Sequence, residues 1–388
     1  MMKTWTLGKV MKRSKELSAH FRLLSGTVFL GILIFPTHLM AVFFLATENP
    51  EHNTTPPANA AEARAWGLQG IWRTCQGTPI APRWFLSAKH IGGAIGDPFT
   101  VHGKTHYAIA RILDPDSDLV LWGVTESFQD HAALFREGDE IGKRMLVFGR
   151  GEVRGRPVFL KTDTIQELKG WKRGSGQAMM RWGENIVTEI ADDPVLIQEG
   201  LGHLIGAEFN REGLPDEAGL GPCDSGGGMF LWQDNEWKLA AINYAAGGRY
   251  KTTQQGNGFD AVLFDEGGLF ACRDENCRAE DSWEFIEDDE VDQPGSIWGT
   301  RIQYRSSWIE ENIAAMPDPE TSIILESAQE PTGPFEAETA WSLSQIPLAL
   351  EIRVPESRRF YRMKTTDRVR LLAPILSDDK LLLPFSGR

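Results

Sequence analysis

Residues 221–230 read GPCDSGGGMF, and this run is the part of the chain best suited to covalent chemistry. The glycines after Ser225 let the backbone turn sharply and let a carbonyl group approach the hydroxyl without meeting a Cβ. Backbone amides before the serine can point at a developing oxyanion. Because Asp, Ser and Gly also form ordinary surface turns, Ser225 is a candidate nucleophile only if partners for it exist.

A serine hydroxyl needs a histidine to take its proton and a carboxylate to orient that histidine. His90 ends the apolar, strand-like run WFLSAKH at residues 84–90, which places an imidazole in a loop at a strand end. Asp118 opens the apolar run DLVLW at residues 118–122, where burial beside a histidine would keep a lone carboxylate charged. Each residue alone is more often structural than catalytic.

Three motifs in this order, SAKH (87–90), DLVL (118–121) and CDSGGG (223–228), resemble the trypsin/chymotrypsin-like serine protease family. The resemblance covers roughly residues 63–314. It implies His90 as general base, Asp118 as its orienting carboxylate and Ser225 as nucleophile in an endopeptidase that acts on polypeptides. No cofactor and no metal are expected.

Other stretches agree with the family along the chain: IAPRW (80–84), VFGRG (147–151), LAAINYA (239–245) and the segment 299–309. The resemblance therefore implies an all-β fold with two antiparallel six-stranded β-barrels and a C-terminal helix. Residues 348–354 and 359–363 alternate like strands and predict an additional small C-terminal β-module.

Cys223 departs from the family pattern, in which a glycine two residues before the nucleophile donates its N–H to the oxyanion hole together with the serine N–H. If this position needs a backbone conformation open chiefly to glycine, a Cβ costs about 1 to 2 kcal/mol. Loss of one oxyanion donor costs about 10² to 10³ in rate. The alternative function is a catalytically impaired, peptide-binding module that uses the strand at 239–245.

Asp224 is the acid that, in the family, pairs with the ammonium of a freshly cut apolar N-terminus. No Arg-Ile-Val-Gly-Gly junction occurs upstream. Two interpretations stay open: a cut at an unidentified bond, or a carboxylate that stabilises its own turn.

The resemblance places the floor of the specificity pocket at Gly219 and its walls at Asn243, Tyr244 and Ala245. No acid stands at these positions to face a basic side chain. We therefore expect an uncharged or apolar residue, rather than Arg or Lys, before the scissile bond.

The N-terminus predicts export. Six Lys or Arg residues precede an apolar stretch at residues 23–46 that is long enough to span a bilayer. A signal peptide and an uncleaved signal anchor both remain possible interpretations, with the protease in the periplasm, in the cell envelope or secreted, as in exported bacterial proteins. The N-terminal segment would contact the membrane if it is uncleaved.

Composition adds further expectations. The net charge of −14 argues against sequence-independent nucleic-acid binding. Cys272 and Cys277 are spaced for a small disulfide loop, whereas Cys75 and Cys223 are free or paired. The acidic run 280–292 predicts a solvated loop, with a calcium site as the less favoured interpretation.

The predicted organisation has five parts. These are a signal peptide or anchor (1–46), a linker (47–62), the protease domain (63–314), a second linker (315–334) and the C-terminal module (335–388).

Overall fold

The structure is a computed structural model that describes residues 42–49, 51–161, 166–174, 179–272, 277, 279, 282–355, 359–377 and 379–387. Two closed antiparallel six-stranded barrels dominate it, and smaller sheets surround them. This confirms the predicted all-β architecture with two antiparallel six-stranded barrels.

The first barrel follows a short N-terminal strand and a helix. Asn59 caps that helix, since its side chain accepts hydrogen bonds from the N–H groups of Ala61 and Glu62. The elements of this part are β1 (Phe43–Phe44), α1 (Ala60–Gly67), β2 (Gly70–Trp72), β3 (Cys75–Ala81), β4 (Trp84–Ala88), β5 (Pro98–Val101), β6 (Lys104–Leu113) and β7 (Leu119–Val124). Strands β2 to β7 close in the order β2-β3-β4-β7-β6-β5.

The region of the second barrel contains β8 (Arg144–Gly149), β9 (Val153–Lys161), β10 (Gln166–Gly174), β11 (Arg181–Ala191), α2 (Pro194–Gln198), β12 (Leu204–Glu208), β13 (Ala218–Gly219), β14 (Gly228–Gln233), β15 (Glu236–Ala246), β16 (Gly248–Lys251), β17 (Phe259–Leu263), β18 (Phe270–Cys272), β19 (Trp283–Phe285) and β20 (Ser296–Arg301). The barrel closes in the order β11-β12-β20-β15-β14-β8. The strands outside the barrel include a separate six-stranded sheet, β19-β18-β16-β17-β10-β9, which the sequence did not predict.

Helix α3 (Ile302–Ala315) directly follows the last barrel strand, as the resemblance implied. The C-terminal part contains β21 (Ile324–Ala328), β22 (Glu336–Glu338), β23 (Trp341–Gln345), β24 (Leu348–Arg353), β25 (Phe360–Lys364), β26 (Val369–Leu371), β27 (Ile375–Ser377) and β28 (Lys380–Gly387).

The C-terminal strands form small sheets that pack on the first barrel. Leu325, Leu350 and Phe385 share one buried apolar cluster with Phe85 and Phe99. The stretch predicted as a second linker contributes strand β21 and a short 3₁₀ helix, Pro319–Ser322, to this packing.

A second apolar cluster joins the two barrels. It combines Leu86 and Leu121 of the first barrel with Phe148 and Phe230 of the second, and Ile309 of α3 packs against both. This core holds the facing edges of the barrels in a fixed relation, so residues on loops at those edges are held at defined positions.

Most of the predicted membrane segment lies outside the described residues, because the structure begins at residue 42. Its last part is folded into the protein: strand β1 pairs with β13, with Phe43 opposite Gly219 and Phe44 opposite Ala218. Within the part of the chain that the structure describes, no helix is long and apolar enough to cross a membrane.

Candidate active site

The three candidate residues meet between the barrels. His90 lies in a 3₁₀ helix, Lys89–Ile91, at the end of β4, and Asp118 directly precedes β7. Ser225 lies in the turn before β14. His90 Nδ1 is 2.5 Å from Asp118 Oδ2, and His90 Nε2 is 2.8 Å from Ser225 Oγ. The structure therefore brings the carboxylate, imidazole and hydroxyl into one hydrogen-bonded chain.

Asp118 holds the histidine by its backbone as well as by its ring. Its Oδ1 accepts a hydrogen bond from the His90 N–H at 3.0 Å, and its carbonyl accepts one from the Lys89 N–H at 2.6 Å. The carboxylate is buried, whereas a third of the His90 side chain (33%) is exposed. A ring that is fixed on one side and open on the other suits transfer of a proton to and from a bound substrate.

The loop that carries Asp118 is braced by residues that sequence reasoning missed. Buried Asp114 accepts hydrogen bonds from the Arg305 guanidinium of α3 at 2.5 and 2.7 Å and from the Ser117 hydroxyl. Lys89 Nζ donates to the carbonyls of Asp114 and Ser117. In the sequence, residues 114–117 read as an ordinary turn, and no local signal connects them to a helix near residue 305.

The charge of Asp118 favours the protonated imidazole. Burial by itself would lower the pKa of His90, but the hydrogen bond to Asp118 and the charge of that carboxylate outweigh burial. The pKa therefore lies above its ordinary value of 6.5. An imidazolium formed during proton transfer is stabilised in this position.

The turn around Ser225 requires its glycines for steric reasons. Gly226 has φ +78°, and a Cβ on it would lie 2.1 Å from the Gln76 carbonyl oxygen of the first barrel. A Cβ on Gly227 would lie 2.2 Å from the carbonyl oxygen of Phe148. The turn is thus wedged between strands of both barrels, and larger residues would displace the serine.

Cys223 adopts a strained backbone conformation that is open chiefly to glycine. Its φ is +67°, in the left-handed region that favours glycine. Across the described residues, neither the Cys223 N–H nor the Ser225 N–H donates a hydrogen bond within the protein. Both amides are therefore without an acceptor among the described residues.

We expect Cys223→Gly to be more stable than Cys223→Ala by about 1 kcal/mol, because only glycine adopts a positive φ without steric cost. Urea unfolding of both variants measures this difference. The matched controls are Cys75→Gly and Cys75→Ala in strand β3. There the glycine variant should be the less stable of the two. Equal stabilities of the two Cys223 variants would show that the backbone strain is relieved in solution.

Asp224 is fully buried and is bonded by backbone donors. Oδ1 accepts hydrogen bonds from Gly151 N–H at 2.7 Å and from Val42 N–H at 3.4 Å, and Oδ2 accepts one from Gly221 N–H at 2.7 Å. Burial nevertheless raises the pKa of Asp224 to about 7, since these hydrogen bonds only partly offset desolvation. Asp224 thus bonds the backbone of its own turn and also the N–H of Val42, which directly precedes the N-terminal strand.

The predicted pocket residues occupy different environments. Gly219 is buried, and a Cβ on it would lie 2.6 Å from Val262. Asn243 is buried and donates to the carbonyls of Phe148 and Asp224, so its side chain supports the nucleophile turn. Tyr244 lies beside His90 with 5.8 Å between the ring centroids, and the neighbouring Ala245 is half-buried.

The predicted disulfide between Cys272 and Cys277 is present, which confirms that prediction. Of the acidic run 280–292, Asp288 and Asp292 are engaged by cations. Lys169 Nζ is 2.6 Å from Asp288, and Arg211 forms two hydrogen bonds with Asp292. Asp292 also approaches Glu167 and Asp265, but Lys169 and Arg211 already balance these carboxylates.

Comparison with known proteins gives little beyond this geometry. No family model matches the chain, and no curated protein matches it. Among solved structures, the chain is similar to the Rv3671c protease in its inactive form, with 14% sequence identity and a TM-score of 0.34. The match covers 53% of this chain and 91% of that one. A likeness of this size carries no argument about activity.

Proposed function

We propose that this protein is a serine endopeptidase that hydrolyses peptide bonds through an acyl-enzyme on Ser225. The observation that carries the proposal is the continuous hydrogen-bonded chain from Asp118 through His90 to Ser225. A chain of this kind on the facing edges of two barrels has no evident structural purpose, since His90 is partly exposed and Ser225 lies in a turn.

In the proposed reaction, His90 Nε2 takes the proton of Ser225 Oγ as the oxygen attacks the substrate carbonyl carbon. The N–H groups of Ser225 and Cys223 stabilise the oxyanion. His90 then gives the proton to the leaving amine, and water attacks the acyl-enzyme with the same base. Asp118 keeps the proton of His90 on Nδ1, which leaves Nε2 free to accept.

The preference for an uncharged or apolar residue before the scissile bond is part of the proposal. Gly219 is enclosed by apolar side chains, Val262 and Phe209 among them, and Asp216 nearby is engaged by His52 at 2.6 Å. Among the described residues, the side chains that a Cβ on Gly219 would meet are apolar, so they offer no charge to a basic substrate side chain. Export across a membrane is proposed from the basic and apolar N-terminal residues alone.

Reaction with a serine-directed fluorophosphonate tests the proposal. We expect the wild-type protein, kept under reducing conditions, to be labelled at Ser225, and we expect Ser225→Ala to show no label. His90→Ala should lose labelling while retaining the fold, which circular dichroism checks. Absence of labelling in correctly folded wild-type protein would contradict the proposal that this protein is a serine endopeptidase.

In that case the second candidate, a peptide-binding module, gains support, and the strained Cys223 provides its physical reason. Binding of peptides to the strand at β15, measured by calorimetry, would then be the next experiment. If the protein is labelled, cleavage of a peptide library separates an endopeptidase from an esterase of the same fold, which would leave the library intact.

A further inference from the structure

Two free thiols lie together against the turn that carries Ser225. Cys75 is the first residue of β3 and is buried, whereas Cys223 is half-buried. The strand and the turn are joined where the Gln76 N–H donates to the Ser225 carbonyl at 3.3 Å. This junction places the Cys75 and Cys223 side chains next to one another, close enough for each thiol to influence the other's titration.

The surroundings of the pair favour a thiolate on Cys223. The neighbouring Cys75 thiol, with Thr74 and the charge of Arg150, lowers the pKa of Cys223 to about 6 despite burial. The neighbouring Cys223 and burial raise the pKa of Cys75. Since the thiolate is the attacking species in disulfide exchange, Cys223 is the partly exposed and reactive member of the pair.

We propose that Cys75 and Cys223 form a reversible disulfide that switches off the oxyanion hole. The oxidant is a small disulfide such as oxidised glutathione. The Cys223 thiolate attacks one of its sulfurs, and one glutathione thiolate leaves. Cys75 then loses its proton to solvent and attacks Cys223 Sγ, which releases the second thiolate. Two protein thiols are oxidised, and one small disulfide is reduced to two thiols.

The expected effect on the site follows from the geometry. Formation of the bond requires the two sulfurs to approach to about 2.05 Å. Cys75 lies in a barrel strand and pairs with Trp72 across the β2–β3 hairpin, so the turn at Cys223 moves instead. The donors of an oxyanion hole act only at about 2.7 to 3.1 Å from the oxyanion. The dithiol form has both N–H groups free, and we assign it as the active form.

The inference rests on the proposed function. The experiment therefore measures the Cys75–Cys223 disulfide and the reactivity of Ser225 separately. The full-length protein is equilibrated with reduced or oxidised glutathione. Peptide mapping by mass spectrometry reports the Cys75–Cys223 linkage, and fluorophosphonate labelling reports Ser225. We expect the linkage in the oxidised sample and labelling about 10²- to 10³-fold slower than in the reduced sample.

Cys75→Ala and Cys75→Ser are matched controls, because both keep Cys223 and the separate Cys272–Cys277 disulfide. Their labelling rates should not change after the excess glutathione disulfide is removed and any mixed disulfide is reversed. A slowdown of the wild-type protein that both variants share would assign the effect to another thiol and overturn the inference.

The possible results distinguish failure of the disulfide switch from failure of the proposed endopeptidase function. No Cys75–Cys223 linkage in the oxidised sample, or a linkage without change in labelling, overturns the inference and leaves the proposed function intact. No labelling in either sample overturns the proposed function and the regulatory part of the inference. A mapped linkage would still establish the redox site in that case.

Discussion

Asp118→Asn is expected to slow the reaction of Ser225 with a fluorophosphonate by about 10⁴-fold. The asparagine amide can keep the hydrogen bond to the His90 N–H through its oxygen, but its NH₂ group then faces His90 Nδ1. That arrangement puts the imidazole proton on Nε2, where it blocks acceptance of the Ser225 proton. The fold should survive, since the change is isosteric.

We also expect Asp118→Asn to change the pH dependence of the labelling rate of Ser225. His90 acts as a base only when neutral, so wild-type activity is lost as the pH falls through the raised pKa of the imidazole. In Asp118→Asn the raising effects disappear, and burial lowers the pKa. The acid limb of the remaining activity should therefore move to lower pH, which a labelling rate measured between pH 4 and 9 tests.

Asp116→Asn is the matched control for that experiment. Asp116 lies in the same loop, is about half exposed and contacts Arg305 at 3.3 Å. Its variant should react within about threefold of wild type, as expected for a surface substitution. If Asp118→Asn reacts within tenfold of wild type, the proposed role of Asp118 is wrong.

The fold class and the grouping of His90, Asp118 and Ser225 could be predicted because three short motifs resemble those of a known family, and the resemblance implies both. An apolar strand that ends in a histidine and a glycine-rich turn around a serine are both readable in a few residues. The small disulfide was predictable for the same reason, since Cys272 and Cys277 are close in the chain.

What the sequence did not predict depends on pairing between distant segments. Phe43 reads as the continuation of an apolar run, yet it forms a strand opposite Gly219 and packs on Phe209 and Trp171. A run of apolar residues is equally consistent with a buried strand and with the end of a longer helix. The six-stranded sheet beside the second barrel arises in the same way, because β10 pairs with β17 from far along the chain.

The N-terminal strand brings a strained residue, Val42, to the buried carboxylate of Asp224. Val42 has φ +53°, which is unfavourable for a β-branched residue. Its N–H lies 3.4 Å from Asp224 Oδ1. The pKa of Asp224 is raised by burial from its ordinary value of 3.8 to about 7, so the intact chain incurs a free-energy cost to ionise this group.

Cleavage of the bond between residues 41 and 42 is expected to raise the free energy of unfolding, by up to about 4 kcal/mol if the whole pKa shift of Asp224 is reversed. The cut turns the Val42 N–H into an ammonium beside the carboxylate. It also removes the strain, because φ of residue 42 is a torsion that includes the carbonyl carbon of residue 41. Labelling of Ser225 should become faster, since the Asp224 turn adjoins the nucleophile.

The experiment uses the full chain with a specific protease site in place of residues 37–41, so that the cut leaves Val42 first. The matched control has the site one residue earlier, which leaves Ala41 first and displaces the ammonium by about one residue length. Unfolding in urea and labelling rate are measured before and after cutting. Asp224→Asn in the cut chain should lose the part of the gain that comes from the ion pair, because the ammonium then has no charge to pair with, and should keep the part that comes from relief of strain at Val42.

The sign of the pH dependence distinguishes an ion pair from simple removal of a strained peptide. In the intact chain a raised carboxyl pKa makes the folded state bind the extra proton, so stability falls as the pH rises from about 4 to about 7. In the cut chain this loss should disappear, because the ammonium lowers the pKa of Asp224. Stability should instead fall above about pH 8, where the ammonium begins to lose its proton, at a pH raised further by the pairing. If cutting raises stability equally at every pH, the gain comes from relief of strain at Val42, and the Asp224 ion pair does not form.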